Sequence, residues 1–177
     1  MTQTDSIPLL ARALDQAGDV LAAVREDQLD APTPCDDWSV AQLVGHLTAL
    51  PGQFLAMARN EEVDWSIEPA APGSGWASGF RSDADDLIHF WHQAGDGSSA
   101  GGVPEMPVAE FAVHTWDLAR AIGWSRPLDE EVARCGLGFM SSALTPERRG
   151  DAFAAERQVP DDASYVDRLA AFAGRQP

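Results

Sequence analysis

The chain has no lysine: all twelve of its cations are arginines. That absence excludes a Schiff-base lysine, a lysine-ended phosphate loop and a Ser-x-x-Lys nucleophile. With Ala, Asp, Gly and Arg abundant, it reads as codon bias. Cysteine is nearly absent. Cys35 and Cys135 are the only two and lie far apart, so there is no disulfide framework. No apolar run approaches the ~20 residues that span a bilayer, and no charged-then-apolar leader opens the sequence. A soluble, reducing, cytoplasmic setting is the expectation. Nor does any segment sustain the period-2 alternation of β-branched residues that marks a strand. Positive charge is scarce: the net charge is −16 and the pI is near 4.3. Duplex binding needs clustered cations to replace phosphate counterions, so no nucleic-acid partner is expected. The same balance disfavours an anionic membrane surface.

What the sequence does have is apolar residues at helical spacing. They make up 45% of 177 residues, enough for one domain, 1–177, with a real core. The stretch 6–27 carries Leu9, Leu10, Leu14, Ala17, Val20, Leu21 and Val24, a helical stripe closed by the loop "QLDAPTPCDD". Asp36 or Asp37 is placed to cap a second helix over 38–60, which Pro51 and Gly52 should kink or interrupt. Residues 61–75 are turn-rich. A third helix is expected over about 76–94, with Phe80, Ala84, Leu87, Ile88 and Trp91 inward. The Gly-rich 95–107 reads as a crossover. The fourth helix should run from about Val108 to Ile122, with Gly123 as its C-cap. A shorter fifth helix over 127–144 and a last turn or two in the tail complete the chain. The class is all-α: a four-helix bundle with a long crossover and an additional short C-terminal helix.

Within the fourth helix, "AEFAVHTWDLARA" puts Glu110 and His114 at i and i+4 beside Phe111 and Leu118, on the face that should be buried. At ~1.5 Å rise per residue the two are separated by about 6 Å along the axis, close enough to converge on one ion. His46, between Leu43 and Leu50 on the second helix, is the natural third ligand. A His₂Glu set would leave coordination positions open, as catalytic sites do. On the residues alone the alternative stands beside it: a satisfied polar pair in a core.

Two longer stretches carry a resemblance. "TPCDDWSVAQLVGHL", 33–47, and "EFAVHTWDLARAIG", 110–123, resemble the two signatures of the DinB/YfiT-like metal-binding superfamily, in its mycothiol-dependent maleylpyruvate isomerase-like branch. The closing "DRLAAFAGRQP", 167–177, is similar to the usual end of a short subfamily of that branch. The resemblance implies a four-helix bundle with a long crossover, holding a divalent metal on His46, Glu110 and His114. Zinc is the favoured ion; the N/O set also admits nickel or another divalent cation. The isomerase proper carries a further C-terminal domain that contributes to its active site. This chain is expected to lack one, which takes maleylpyruvate isomerisation itself out of the expectation.

The function so implied is a thiol-dependent transferase or isomerase, in which the open metal position activates a low-molecular-weight thiol such as mycothiol toward a small-molecule electrophile. A metal-dependent hydrolase and a non-catalytic metal- or ligand-binding module are the alternatives. Asp117 is a candidate to orient an imidazole from behind, and Arg120 to meet an anionic substrate or a thiol's carboxylate. Cys35, eleven residues before His46 or ~16 Å along a helix, is out of reach of the same ion unless that helix starts late. It reads as buried at the start of the helix, and Cys135 as core. His89 and His92 lie off the apolar stripe of their helix and read as surface residues. Trp38 and Trp116 read as core or pocket wall. Bundles of this kind often pair into homodimers, although the sequence shows no interface stripe.

Overall fold

The computed structural model describes residues 3–35, 38–65, 73–94, 101–145, 149 and 153–177. Among these residues the regular secondary structure is all helical, apart from one isolated bridge between Pro32 and Ser39. Six α-helices follow in order: α1 Gln3–Ala22, α2 Val40–Ala58, α3 Trp76–Ala94, α4 Glu105–Ile122, α5 Glu130–Ala143 and α6 Tyr165–Phe172. A single 3₁₀ turn, Glu26–Gln28, lies after α1.

Helices α1 and α2 lie diagonally opposite, each flanked by α3 and α4. The α1–α2 connection therefore crosses one end of the bundle, and the α3–α4 connection crosses between the other diagonal pair. Outside this four-helix unit α5 packs on α4 and α1, and α6 packs on α5 and α4. The apolar stripes meet in one continuous core that includes Leu10, Leu47, Phe54, Leu87, Phe111 and Leu118, each at most 1% exposed. The expected inward set of α3 holds: Phe80, Ala84, Leu87 and Trp91 are buried and Ile88 is half-buried. Helix α4 is the best covered, buried at every position from Pro107 to Ala119 except Glu110.

Local chemistry explains where the helices begin and end. Asp36 and Asp37 lie outside the described residues. The cap of α2 is Ser39, whose hydroxyl accepts from Gln42 N while the Gln42 side chain accepts from Ser39 N. This capping box delays the helix to Val40. Contrary to the expected interruption, α2 runs through Pro51. The ring costs one backbone bond, but Leu50, Pro51 and Phe54 are all buried, and their packing holds the helix together. Helix α4 begins at Glu105 rather than Val108 because Pro107 falls in its first turn, where no N–H is needed. Gly123 ends it in the left-handed region at φ 71°, as expected. Trp124 N then donates to Ala119 O.

No helix among the described residues is long and apolar enough to cross a membrane.

Candidate metal centre

Glu110 is the one break in the buried run of α4, and it faces a cavity rather than solvent at large. The cavity holds about 490 Å³ and is lined by residues from the α1–α2 connection, α2, α4 and the C-terminal segment. Glu110 and His114 project into it one turn apart, with Glu110 Oε2 3.4 Å from His114 Nε2. His46 comes from α2, its ring centroid 4.6 Å from that of His114 and nearly perpendicular to it. Ligand-capable atoms of His46, Glu110 and His114 all lie within 4.8 Å of one another. The sequence reading placed these three together, and the fold does so.

The donor set suits a divalent cation on its own geometry. His46 Nε2 is buried with no hydrogen-bond partner, a cost of about 1–3 kcal/mol for a polar atom taken out of water. Bonds of about 2.0–2.1 Å put neighbouring ligands of a tetrahedral zinc about 3.4 Å apart, and the Glu110–His114 contact already has that spacing. Three such ligands would leave a tetrahedral ion one further position to fill.

The electrostatics point the same way. Burial and the neighbouring His114 charge push His46 down to about 3, against a smaller pull from Glu110, so His46 is a neutral imidazole, the form a metal needs. Burial also opposes charge on His114, but Asp117, Cys35 and Glu110 outweigh it and raise its pKa well above the usual histidine value. Burial likewise opposes ionisation of Glu110, and His114 overcomes it and keeps the carboxylate charged. Without a metal, then, the proton on His114 neutralises part of the acidic cluster, in the place a cation would take.

Behind His114 stands Asp117, fully buried, with Oδ2 3.3 Å from His114 Nδ1. The contact is electrostatic, since Nδ1 has no well-aligned hydrogen bond. Asp117 is held in turn by Arg175, whose Nε donates to Oδ1 at 3.1 Å and Nη2 to Oδ2 at 3.0 Å. Nη1 of the same guanidinium donates to Ala173 O. Asp117 thus stands behind His114, where an orienting carboxylate was expected, and it is buried rather than exposed.

Arg175 was not legible in the sequence as part of the site. Its place is set by the end of α6, where Gly174 N donates to Ala171 O and Arg175 N to Ala170 O, the paired bonds of a Schellman motif. Gly174 sits at φ 87°, and a Cβ there would meet the Ala154 backbone at 2.8 Å. The glycine after a helix is a readable signal; the carboxylate its neighbour reaches is not. Phe153 and Ala154, which complete this wall, carried no signal either.

Cys35 requires a correction. Because α2 starts at Val40, residues 29–31 fold back over its first turn: Val40 N donates to Ala31 O and Ala41 N to Leu29 O. The Thr33 hydroxyl donates to the carbonyls of Cys35 and Trp38. This turn brings Cys35 into the cavity wall, where it forms a second ligand-capable group with His114 and Asp117. Asp117 is already committed to Arg175, so a cation there would have to displace a guanidinium. The His46, Glu110 and His114 group has no such competitor.

The other residues fall out simply. Trp38 is pocket wall, its ring 4.8 Å from His46 and 5.9 Å from His114. Trp116 is buried outside this cavity. Arg120 does not meet the cavity: it is exposed, with its guanidinium 5.5 Å from the Trp116 ring, because six residues beyond His114 turns it to another face of α4. His89 and His92 are exposed on α3. Cys135 is buried, and burial together with Glu105 pushes its thiol up to about 11, leaving it protonated and inert.

A helical bundle that presents His, Glu and His from two of its helices to an open cavity defines a class: the bundle proteins built around a candidate divalent-metal centre. Within that class the chain belongs to the mycothiol maleylpyruvate isomerase N-terminal domain family, whose pattern matches residues 10–119. Two uncharacterized proteins of Mycobacterium tuberculosis, from strains CDC 1551 / Oshkosh and ATCC 25618 / H37Rv, are each 35% identical to it, covering 95% of this chain and 97% of their own. No solved structure shows a significant match.

Proposed function

We propose that this protein is a divalent-metal, thiol-dependent transferase or isomerase, with His46, Glu110 and His114 as ligands and a low-molecular-weight thiol such as mycothiol as co-substrate. The observation that carries the reading is the convergence of ligand-capable atoms of His46, Glu110 and His114 within 4.8 Å in the wall of a cavity, with His46 Nε2 buried and unpartnered. The family's association with mycothiol supplies the thiol. Zinc is the favoured ion, with nickel next. A metal bound there would lower the pKa of a coordinated thiol and hold it for attack on an electrophile.

The chain's own residues do the rest. Asp117 fixes His114 so that Nε2 faces Glu110 and the cavity, and Arg175 keeps Asp117 ionised and in place. Trp38 packs against both imidazoles and excludes water from their outer faces. Phe54, Trp65 and Phe153 give the cavity apolar walls. The hydrolase alternative has less support: it needs a base beside the metal, and Asp117, the carboxylate behind His114, is buried and committed to Arg175.

The test is titration of a low-molecular-weight thiol into the cobalt-substituted protein. A thiolate-to-cobalt charge-transfer band is the expected result, absent from His114→Ala. Bound cobalt with no thiol response would contradict thiol dependence and return the hydrolase and the binding module.

A further inference from the structure

Glu110, His114 and Phe153 line a second cavity as well as the first. This annex holds about 170 Å³ and lies between α4 and α5, walled by Val113, Phe139, Met140, Ala143 and Leu144. Its lining is more apolar than that of the main chamber. The main chamber has Cys35 and Arg175 in its wall, whereas among the described residues the annex has no titratable group beyond the two metal-ligand candidates themselves.

A site that handles one small polar molecule needs one chamber. Two chambers that meet at the same Glu110 and His114, one carrying further ionisable groups and one more apolar, suit a reaction between two molecules. The annex has the volume of an engineered apolar cavity of about 150 Å³ that stays dry and binds benzene. Met140 and Phe139 offer a thioether and a ring edge, both good partners for an aromatic or branched alkyl group. A carboxylate placed there would meet no cation in the annex wall among the described residues.

We propose that the annex is a second subsite, taking the apolar arm of the electrophile while the thiol occupies the main chamber. The substrate class is then an electrophile with a phenyl-sized or short branched alkyl group, rather than a small dicarboxylate. The assignment of the arm to an electrophile rests on the thiol-transfer reading above; the apolar subsite itself does not.

The test uses fluorobenzene as probe with the full chain, followed by ¹⁹F NMR on metal-free and cobalt-substituted protein. Binding is expected in both, with ¹⁹F relaxation enhanced by the neighbouring cobalt. Ala143→Phe, which fills the annex from a half-exposed position, should weaken binding by about 10-fold or more while metal content stays unchanged. Ala143→Leu repeats the filling with a smaller group, in case the larger one disturbs folding as read by the thermal melt. No fluorobenzene binding to the wild type, or binding indifferent to both fillings, overturns the subsite. If the protein takes up no metal while fluorobenzene still binds and is excluded by Ala143→Phe, the metal reading fails and the subsite stands.

Discussion

The two ring nitrogens of His114 face different partners: Nε2 looks to Glu110 and the cavity, Nδ1 to Asp117 and, through it, to Arg175. A carboxylate behind a ligating imidazole fixes its tautomer and raises its basicity, and losing it commonly costs 10–100-fold in metal affinity. Asp117→Asn should therefore weaken metal binding by about 10- to 100-fold with the fold intact, as read by competition with a chelator and by circular dichroism. Arg175→Met should act chiefly on stability. It strips the buried Asp117 charge of its guanidinium and leaves only the His114 proton beside it, a loss of up to about 3–5 kcal/mol in denaturant unfolding, and Asp117→Asn in the same chain should restore part of it. The titration of His114 gives a separate prediction. Its pKa is raised by Asp117, Cys35 and Glu110 against the opposing effect of burial, so the metal-free ring carries a proton at pH 7. A metal needs the neutral ring, so uptake at pH 7 should release a proton, and apparent affinity should rise with pH until His114 is deprotonated in the free protein. Calorimetry in buffers of different ionisation enthalpy counts that proton; an affinity that fell as pH rose through neutrality would contradict the assignment. Much of this was readable in the sequence. The i, i+4 spacing of Glu110 and His114, and His46 on the inward path of α2, give the ligand set. The reach of Asp117 to Arg175 was not readable, because 58 residues of chain separate them and no local pattern encodes which buried carboxylate a distant arginine meets.

Helix ends decide what surrounds those ligands. A cap at Ser39 rather than at Asp36 or Asp37 starts α2 late, and that delay puts Cys35 in the cavity wall instead of beneath it. The sequence holds the Ser-x-x-Gln box that sets this start, beside two acidic residues that are equally good caps on type alone, so the choice among them depends on the turn held by Thr33. At the other wall, the Schellman end of α6 seats Arg175. Gly174→Ala would place a side chain at φ 87° and 2.8 Å from the Ala154 backbone. The expected cost is about 1–3 kcal/mol of stability together with weaker metal binding, because the same shift pulls Arg175 from Asp117. Unchanged metal affinity in a destabilised Gly174→Ala protein would show that the α6 end acts on the fold alone. Helix existence was legible throughout, since stripes such as Leu10, Leu14, Ala17 and Leu21 need only local periodicity. The passage of α2 through Pro51 was not, because it is packing against other helices that overrides the local preference.

At the scale of the whole molecule, the bundle sets the candidate ligands between two neighbouring helices. Helices α2 and α4 are neighbours that supply His46 and the Glu110–His114 pair, the α1–α2 connection roofs them with Cys35 and Trp38, and the C-terminal segment closes the far wall with Phe153 and Arg175. The burial of α4 by four other helices makes a lone half-buried glutamate in its middle costly unless a cation offsets it, and the molecule's net charge of −16 adds to the same demand. The class of the fold followed from composition and period. The diagonal order of the helices did not, since a stripe shows that a face is buried but not against which neighbour. The most direct test of the account is the metal content of the purified protein by elemental analysis, for the wild type and for His46→Ala. The account predicts close to one divalent ion per chain in the wild type, zinc first, and its loss in His46→Ala with the helical content unchanged. A wild type that holds no metal even after reconstitution, or a His46→Ala protein that keeps it, would contradict the account and leave Glu110 and His114 as a buried polar pair.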